Sequence, residues 1–181
     1  DPIPSRGLGD VYKRQVLTGL GHKLIEVDFS ELSSGICSYY VIAPAECSSN
    51  LSRFDGVKYG YRSEGEKDIA NLYMNTRSDG FGDEVKKRIL IGTHVLSAGF
   101  YDAYYLQAQK VRRMIKVKFE DFFKDVDLIF MPTTLDQAFE KNRKSDDPNR
   151  MYKEDLLTIP ANLAGLPAIS FPNGFKNNLP I

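Results

Sequence analysis

The segment Tyr39–Tyr61, YYVIAPAECSSNLSRFDGVKYGY, is the most informative stretch of this chain for its fold. An apolar run ends in Ser48-Ser49-Asn50, and Arg53-Phe54-Asp55-Gly56 then forms a strong turn signal. The pattern predicts a helix that is capped by a serine at position 33 or 34, bends at Pro44 and runs to about Arg53. Its predicted apolar stripe has spacings of three and four residues. The stripe consists of Ile36, Tyr40, Ala43, Cys47, Leu51 and Phe54.

Helical and strand patterns alternate on both sides of this segment. Helices are predicted from about Asp68 to Asn75, after Asp79-Gly80, over Ala103–Lys124, and over Tyr152–Leu163 with a kink at Pro160. Short hydrophobic strands are predicted at Lys23–Phe29, Asp127–Thr133 and Ala168–Pro172. This alternation predicts the α/β class.

The composition is that of a soluble globular domain. The 181 residues are 42% hydrophobic and carry a formal net charge of +0. Neutrality gives no general attraction to nucleic acid or acidic membranes, and no apolar stretch approaches the ~20 residues of a membrane span. Cys37 and Cys47, the only cysteines, lie in a largely apolar segment where reduced, buried cysteine is the ordinary state. A cytoplasmic location is therefore predicted.

The first fifteen residues, DPIPSRGLGDVYKRQ, differ in character from the rest. They have no hydrophobic period, and DVYKRQ looks like translated adaptor sequence. We predict that residues 1–15 are a non-native leader or disordered. Residues 16–181 are then expected to be a partial domain that is truncated at both ends.

Motifs for nucleophilic or metal catalysis are missing from the sequence. There is no GxSxG turn, no Ser-x-x-Lys pair and no HExxH motif. His22 and His94 are isolated, and a zinc site needs about four ligands. No catalytic residue and no metal site is therefore predicted in this chain.

Three side chains lie at the shoulders of predicted core stripes. Arg88 borders the face of Val85 and Ile89, so its guanidinium needs an anion, which can be a structural carboxylate or a ligand carboxylate. Tyr39 and Asp155 occupy similar positions on their own helices, and Asp155 can also be explained as a first-turn carboxylate favoured by the helix dipole. One cation, one anion and one phenol would suit a free amino acid.

A run of basic residues in the predicted helix Ala103–Lys124 has a simpler explanation than RNA binding. These residues spread over most of the polar circumference of the helix, and acidic residues follow them. They are Lys110, Arg112, Arg113, Lys116 and Lys118. A solvated helix face is the better interpretation.

Four strings, taken together, resemble the amidase signature family. They are SSNLSRFDGVKYGYR, SDGFGDEVKKRILIGTHVLSAGFYDAYYLQAQKVR, MPTT and DDPNRMYKEDLLTIPANLAGLPAISFPNG. Within that family, SSNLSRFDG and GFGxEVKxRI are similar to the branch that serves as the glutaminase subunit of tRNA-dependent amidotransferases. The resemblance covers residues 16–181 and implies a mixed central sheet flanked by helices, of which this chain holds only a C-terminal part.

The resemblance also implies a function and partners. The family subunit hydrolyses glutamine through a Ser–Ser–Lys triad, and the ammonia converts Glu-tRNA(Gln) to Gln-tRNA(Gln). A second subunit binds mischarged tRNA and uses ATP and Mg²⁺, and a third completes a heterotrimeric ligase of protein biosynthesis. The triad belongs to the N-terminal half of such subunits and matches no serine here, so this chain alone is expected to be inactive.

The resemblance favours the binding explanation for the three shoulder residues. Arg88 matches the arginine that binds the glutamine carboxylate, Asp155 the aspartate that holds the amino group, and Tyr39 the tyrosine of the pocket. One departure lies beside Tyr39, where APAEC replaces smaller, serine-rich residues. It puts the local packing in doubt but not the assignment.

Two other functions stay open on the sequence. One is an amidase-signature hydrolase of small amides that works without tRNA or partner subunits. The other is a non-catalytic assembly module. An upstream reading frame with a lysine and a glycine- and serine-rich signature would favour the glutaminase subunit.

Overall fold

The structure is a computed structural model that describes residues 8–65, 67–135, 137–141, 152 and 154–180. Its longer elements in chain order are α1 (Leu8–Gly19), a 3-10 helix (Ser30–Ser34), α2 (Gly35–Leu51), α3 (Ile69–Gly80), α4 (Asp83–Val95), a π-helix (Tyr101–Tyr105), α5 (Leu106–Phe122), α6 (Ile159–Ala164), β1 (Phe175–Lys176) and β2 (Leu179–Pro180). The chain divides into two compact units. Unit 1 draws on Asp1–Ile36 and Val111–Ile181, and unit 2 is Cys37–Lys110.

The sheet content differs from the prediction. Among the described residues, the strands β1 and β2 pair with each other in an antiparallel hairpin. Its two turn residues, Asn177 and Asn178, both have positive φ, as a type I′ turn requires. The three segments predicted as strands are not assigned to any ladder. A strand needs a neighbour for its N–H and C=O groups, and hydrophobic alternation does not identify that neighbour. The mixed central sheet therefore remains a prediction from sequence.

Unit 1 is built around α5. Its buried apolar side chains are Leu32, Ile115, Phe119, Ile159, Leu163 and Ala164. The ring of Phe29 packs 5.7 Å from that of Phe119 and 5.3 Å from that of Phe122, measured between centroids. Gly35 fits against Ile115, whose Cδ1 would lie 3.1 Å from an added β-carbon. The stripe predicted for α5 is thus correct at its centre.

The last predicted helix is interrupted before Pro160. Residues 152 and 154 are helical, residues 155–158 form a turn, and α6 follows with Pro160 in its first turn, where the missing N–H costs no helical hydrogen bond. The prediction of one helix kinked at Pro160 was wrong for this reason. Gly165, with φ of 73°, ends α6, and Leu166 N–H donates to the carbonyl of Ala161 at 3.0 Å.

Unit 2 packs α2 against α4. Its buried apolar side chains are Ile42, Ala45, Leu72, Val95 and Ala108. The hydroxyls of Ser48 and Thr93 lie 2.9 Å apart across the crossing of the two helices. Asp68 caps α3 by accepting from Asn71 N–H at 3.1 Å.

The stripe predicted for α2 is one register away from the buried one. The structure buries Gly35, Ser38, Ile42 and Ala45, whereas Tyr40 and Cys47 are only half-buried. Cys37 is exposed, so the expectation of two buried cysteines was wrong for this one. Among the described residues, no helix is both long enough and apolar enough to cross a membrane.

Candidate substrate-binding site

Arg88 is held by two side chains of unit 2. It lies in the second turn of α4, one turn after Glu84, and its Nε donates to Glu84 Oε1 at 3.0 Å. A second hydrogen bond joins its guanidinium to the phenol of Tyr39. Burial acts to lower the pKa of Arg88, but the bonds to Tyr39 and Glu84 outweigh it and raise the pKa above its ordinary value. The guanidinium therefore stays charged.

Two consecutive tyrosines of α2 form the other side of this site. The rings of Tyr39 and Tyr40 meet edge to face, with centroids 5.1 Å apart and an interplanar angle of 84°. Cζ of Arg88 lies 6.0 Å from the ring centroid of Tyr40, at the outer limit of a cation–π contact. We call Tyr39, Tyr40, Glu84 and Arg88 the arginine cluster.

The arginine cluster can bind a small carboxylate. A guanidinium has five N–H donors in a planar fork, which is more than Glu84 and Tyr39 use. The side chain of Arg88 is 30% exposed and that of Glu84 is 59% exposed, so solvent reaches the cluster. A carboxylate that approaches the fork can form two parallel hydrogen bonds with it.

Asp155 belongs to unit 1 and is half-buried. It begins the turn that leads into α6 and does not lie within that helix. Its carbonyl accepts from the N–H groups of Thr158 and Ile159, at 3.2 and 3.0 Å. The structure thus brings Tyr39 and Arg88 together, while Asp155 is placed in the other unit.

Other residues that the sequence singled out have structural contacts. The ring of His94 stacks on Phe100, with centroids 4.2 Å apart. Arg112 donates from Nε to the carbonyl of Leu163 at 3.1 Å, so it ties α5 to the end of α6 and is not only a solvated charge. Lys116 pairs with Glu120 at 3.9 Å, as on a solvated face.

Two members of the arginine cluster were not predicted from the sequence. Glu84 precedes Arg88 by four residues on one helix, a spacing that places the two side chains together and is readable from GDEVKKR. Tyr40 was assigned to the core stripe of α2. Because that stripe is shifted, Tyr40 lies beside Arg88 at the edge of the buried face.

Comparison with known proteins gives consistent matches. A family model described as Amidase matches residues 12–181. The chain is 57% identical over 167 residues to a glutamyl-tRNA(Gln) amidotransferase subunit of Hahella chejuensis, covering 92% of this chain and 34% of that protein. It is 52% identical over 182 residues to the protein of the same name from Acaryochloris marina, covering 97% of this chain and 38% of that protein.

A solved structure matches as well. The crystal structure of the glutamyl-tRNA(Gln) amidotransferase subunit of the same name from Thermotoga maritima superposes with a TM-score of 0.61 at 42% sequence identity. The match covers 92% of this chain and 31% of that one. The chain thus spans about one third of the length of the proteins it matches.

Proposed function

Because the chain belongs to the amidase family, we propose that it forms the glutamine-recognition part of the glutaminase subunit of a tRNA-dependent amidotransferase. The complete enzyme would convert Glu-tRNA(Gln) to Gln-tRNA(Gln). Support comes from the relatives, which carry the name of an amidotransferase subunit in organisms as distant as Hahella chejuensis and Acaryochloris marina. The alternative, in which the acceptor is Asp-tRNA(Asn), shares the same glutamine chemistry.

In this proposal Arg88 binds the α-carboxylate of glutamine, and Asp155 its α-ammonium group. Tyr39 forms a wall of the pocket and accepts a hydrogen bond from Arg88. The observation that carries the assignment is the contact of Arg88 with Tyr39, because two residues picked independently from the sequence lie together in unit 2. Glutamine bound at both α-groups presents its side-chain amide to a nucleophile in a fixed position.

The nucleophile lies outside this chain in the proposal. Acyl transfer by a serine needs a base and an oxyanion hole, and the sequence offers neither motif. The Ser–Ser–Lys triad is therefore assigned to the rest of the subunit. The ammonia released passes to a second subunit, which activates the glutamate on tRNA with ATP and Mg²⁺, and a third subunit completes the heterotrimer in the cytoplasm.

The three unpaired extended segments belong to the same proposal. Lys23–Phe29, Asp127–Thr133 and Ala168–Pro172 would join the mixed central sheet of the complete amidase fold. Thr133 and Ser170 already lie side by side, with hydroxyl oxygens 3.2 Å apart, and Leu128 and Ile169 are each 86% exposed. Apolar side chains at this exposure are expected to be covered in the complete domain.

The test is the substrate and partner requirement of the full-length protein. Ammonia release from L-glutamine is measured for that protein with its two partner subunits, beside release from a simple amide such as propionamide. The proposal predicts release from glutamine and little from propionamide. Propionamide hydrolysis without partners would instead support the small-amide hydrolase, and release from neither amide would support the assembly module.

A further inference from the structure

The guanidinium of Arg88 is contacted by three side chains, of which only Tyr39 has a role so far. We propose that Glu84 and Tyr40 are positioning residues, which hold the fork of Arg88 in the orientation that binds a substrate carboxylate. This inference rests on the proposed function, since it takes Arg88 to bind glutamine. Neither residue needs to touch the substrate.

Glu84 fixes the plane of the fork. Arginine has four rotatable side-chain bonds, so an unrestrained guanidinium loses much rotamer freedom when a ligand binds. Glu84 lies one turn earlier on the same helix, and its Oε1 accepts from Nε, the nitrogen at the base of the fork. An Nε contact leaves the outer edge of the fork, with both terminal nitrogens, in a geometry that matches a carboxylate.

Tyr40 restrains both other members of the pair at once. Its ring lies 6.0 Å from Cζ of Arg88 and meets the ring of Tyr39 edge to face at 5.1 Å. One side chain therefore limits the movement of the guanidinium and of the phenol that accepts from it. The contacts depend on the aromatic ring, so phenylalanine can replace tyrosine here and leucine cannot.

A competing explanation gives Glu84 the opposite effect. If its carboxylate only neutralises Arg88, it competes with the substrate carboxylate, and its removal tightens glutamine binding by Coulomb attraction. If Glu84 orients the fork, its removal weakens binding although the site becomes more positive. The sign of the change in affinity separates the two explanations.

The experiment compares L-glutamine affinity among variants of the full-length protein by calorimetry. Glu84→Gln removes the charge but keeps an acceptor oxygen, and Glu84→Ala removes both. Asp83→Asn is the matched control, because Asp83 precedes Glu84, pairs with Lys86 at 3.0 Å and loses the same charge without contacting Arg88. Thermal midpoints of all variants check that each remains folded.

We expect Glu84→Ala to raise the Kd for glutamine roughly twofold to fivefold, the size of effect typical of exposed ion pairs. Glu84→Gln should lie between Glu84→Ala and the unsubstituted protein, and Asp83→Asn should not change the Kd. Tyr40→Leu should raise the Kd and Tyr40→Phe should restore it. In steady-state assays, Glu84→Ala and Tyr40→Leu should raise KM more than they lower kcat.

The outcomes also separate this inference from the proposed function. Glutamine binding by the unsubstituted protein that is equal or tighter in Glu84→Ala overturns the positioning role of Glu84 and leaves the proposed function intact. The same result for Tyr40→Leu overturns the role of Tyr40. Failure of the unsubstituted protein to bind glutamine overturns the proposed function, and the inference with it.

Discussion

Gly92 on α4 packs directly on the backbone of Pro44 on α2. A β-carbon added to Gly92 would lie 2.0 Å from the carbonyl oxygen of Pro44 and 2.7 Å from Cβ of Ser48. Only a residue without a side chain fits at this distance. The close crossing joins the helix that carries Tyr39 and Tyr40 to the helix that carries Arg88, so it determines the geometry of the arginine cluster.

Replacement of Gly92 by alanine should destabilise unit 2. The added methyl group forces α2 and α4 apart, and overpacking of this kind costs about 1–3 kcal/mol or more. Urea unfolding of the chain, followed by circular dichroism, measures the free energy of unfolding. The control is Gly82→Ser, because no atom lies within 4 Å of a β-carbon at that N-cap position and serine is a favoured cap. Equal midpoints for the two variants would contradict the close packing at Gly92.

Arg77 should stabilise the end of α2. Its Nη1 donates to the carbonyls of Leu51 and Phe54, at 2.9 and 3.0 Å, and its guanidinium lies over the ring of Phe81. Arg77→Ala leaves both carbonyls without this donor, and we expect a loss of about 1–3 kcal/mol in the free energy of unfolding. Arg113→Ala, at an exposed position of α5, should change it by less than about 0.5 kcal/mol. An effect no larger at Arg77 than at Arg113 would rule out the capping role.

The turn at Asp55 should depend on pH. The N–H groups of Val57 and then Lys58 donate to its carboxylate, at 2.8 and 3.1 Å, and lower its pKa below the ordinary value. A carboxylate with a lowered pKa stabilises the folded state above its unfolded pKa of ~3.9, and this contribution is lost as the pH falls through the lower folded value. The amide resonance of Val57 should therefore titrate with a midpoint below that of an ordinary aspartate. Asp55→Asn should abolish the titration, and a midpoint at or above ~3.9 would contradict the hydrogen bonds.

The 181-residue chain by itself should release no ammonia from L-glutamine. Its sequence lacks a recognisable nucleophile and base pair, although it holds the proposed carboxylate site. Ammonia released on incubation with glutamine is measured against a blank without protein. Release above the blank that disappears in Arg88→Ala would show that a catalytic group within this chain was missed.

The sequence predicted helices better than it predicted their buried faces. In α5, apolar and charged residues alternate strongly, so Ala108, Ile115 and Phe119 were assigned to the core correctly. α2 is apolar on most of its circumference, and a helix of that kind has no face that its period can single out. The contact with Gly92 on α4 decides which residues are buried, and it favours small ones such as Ser38 and Ala45.

Strands and site geometry depend on contacts that are distant in the sequence. The alternation in Lys23–Phe29 is genuine, but a ladder needs a neighbouring strand that local pattern does not specify. For the site, the helical wheel placed Arg88 at the border of its apolar face, where it lies half-buried. The partnership of Arg88 with Tyr40 could not be predicted, because it follows from the register in which α2 meets α4.

The affinity of the full-length protein for L-glutamine with and without Arg88 tests the central claim most directly. Loss of one partner of a close charged pair costs about 2–4 kcal/mol, so Arg88→Ala should raise the Kd roughly 30-fold to several hundredfold. Lys87→Ala removes the same charge at the neighbouring exposed position and should leave the Kd unchanged. If Arg88→Ala binds glutamine as tightly as the unsubstituted protein, Arg88 does not bind the substrate carboxylate and the account is wrong.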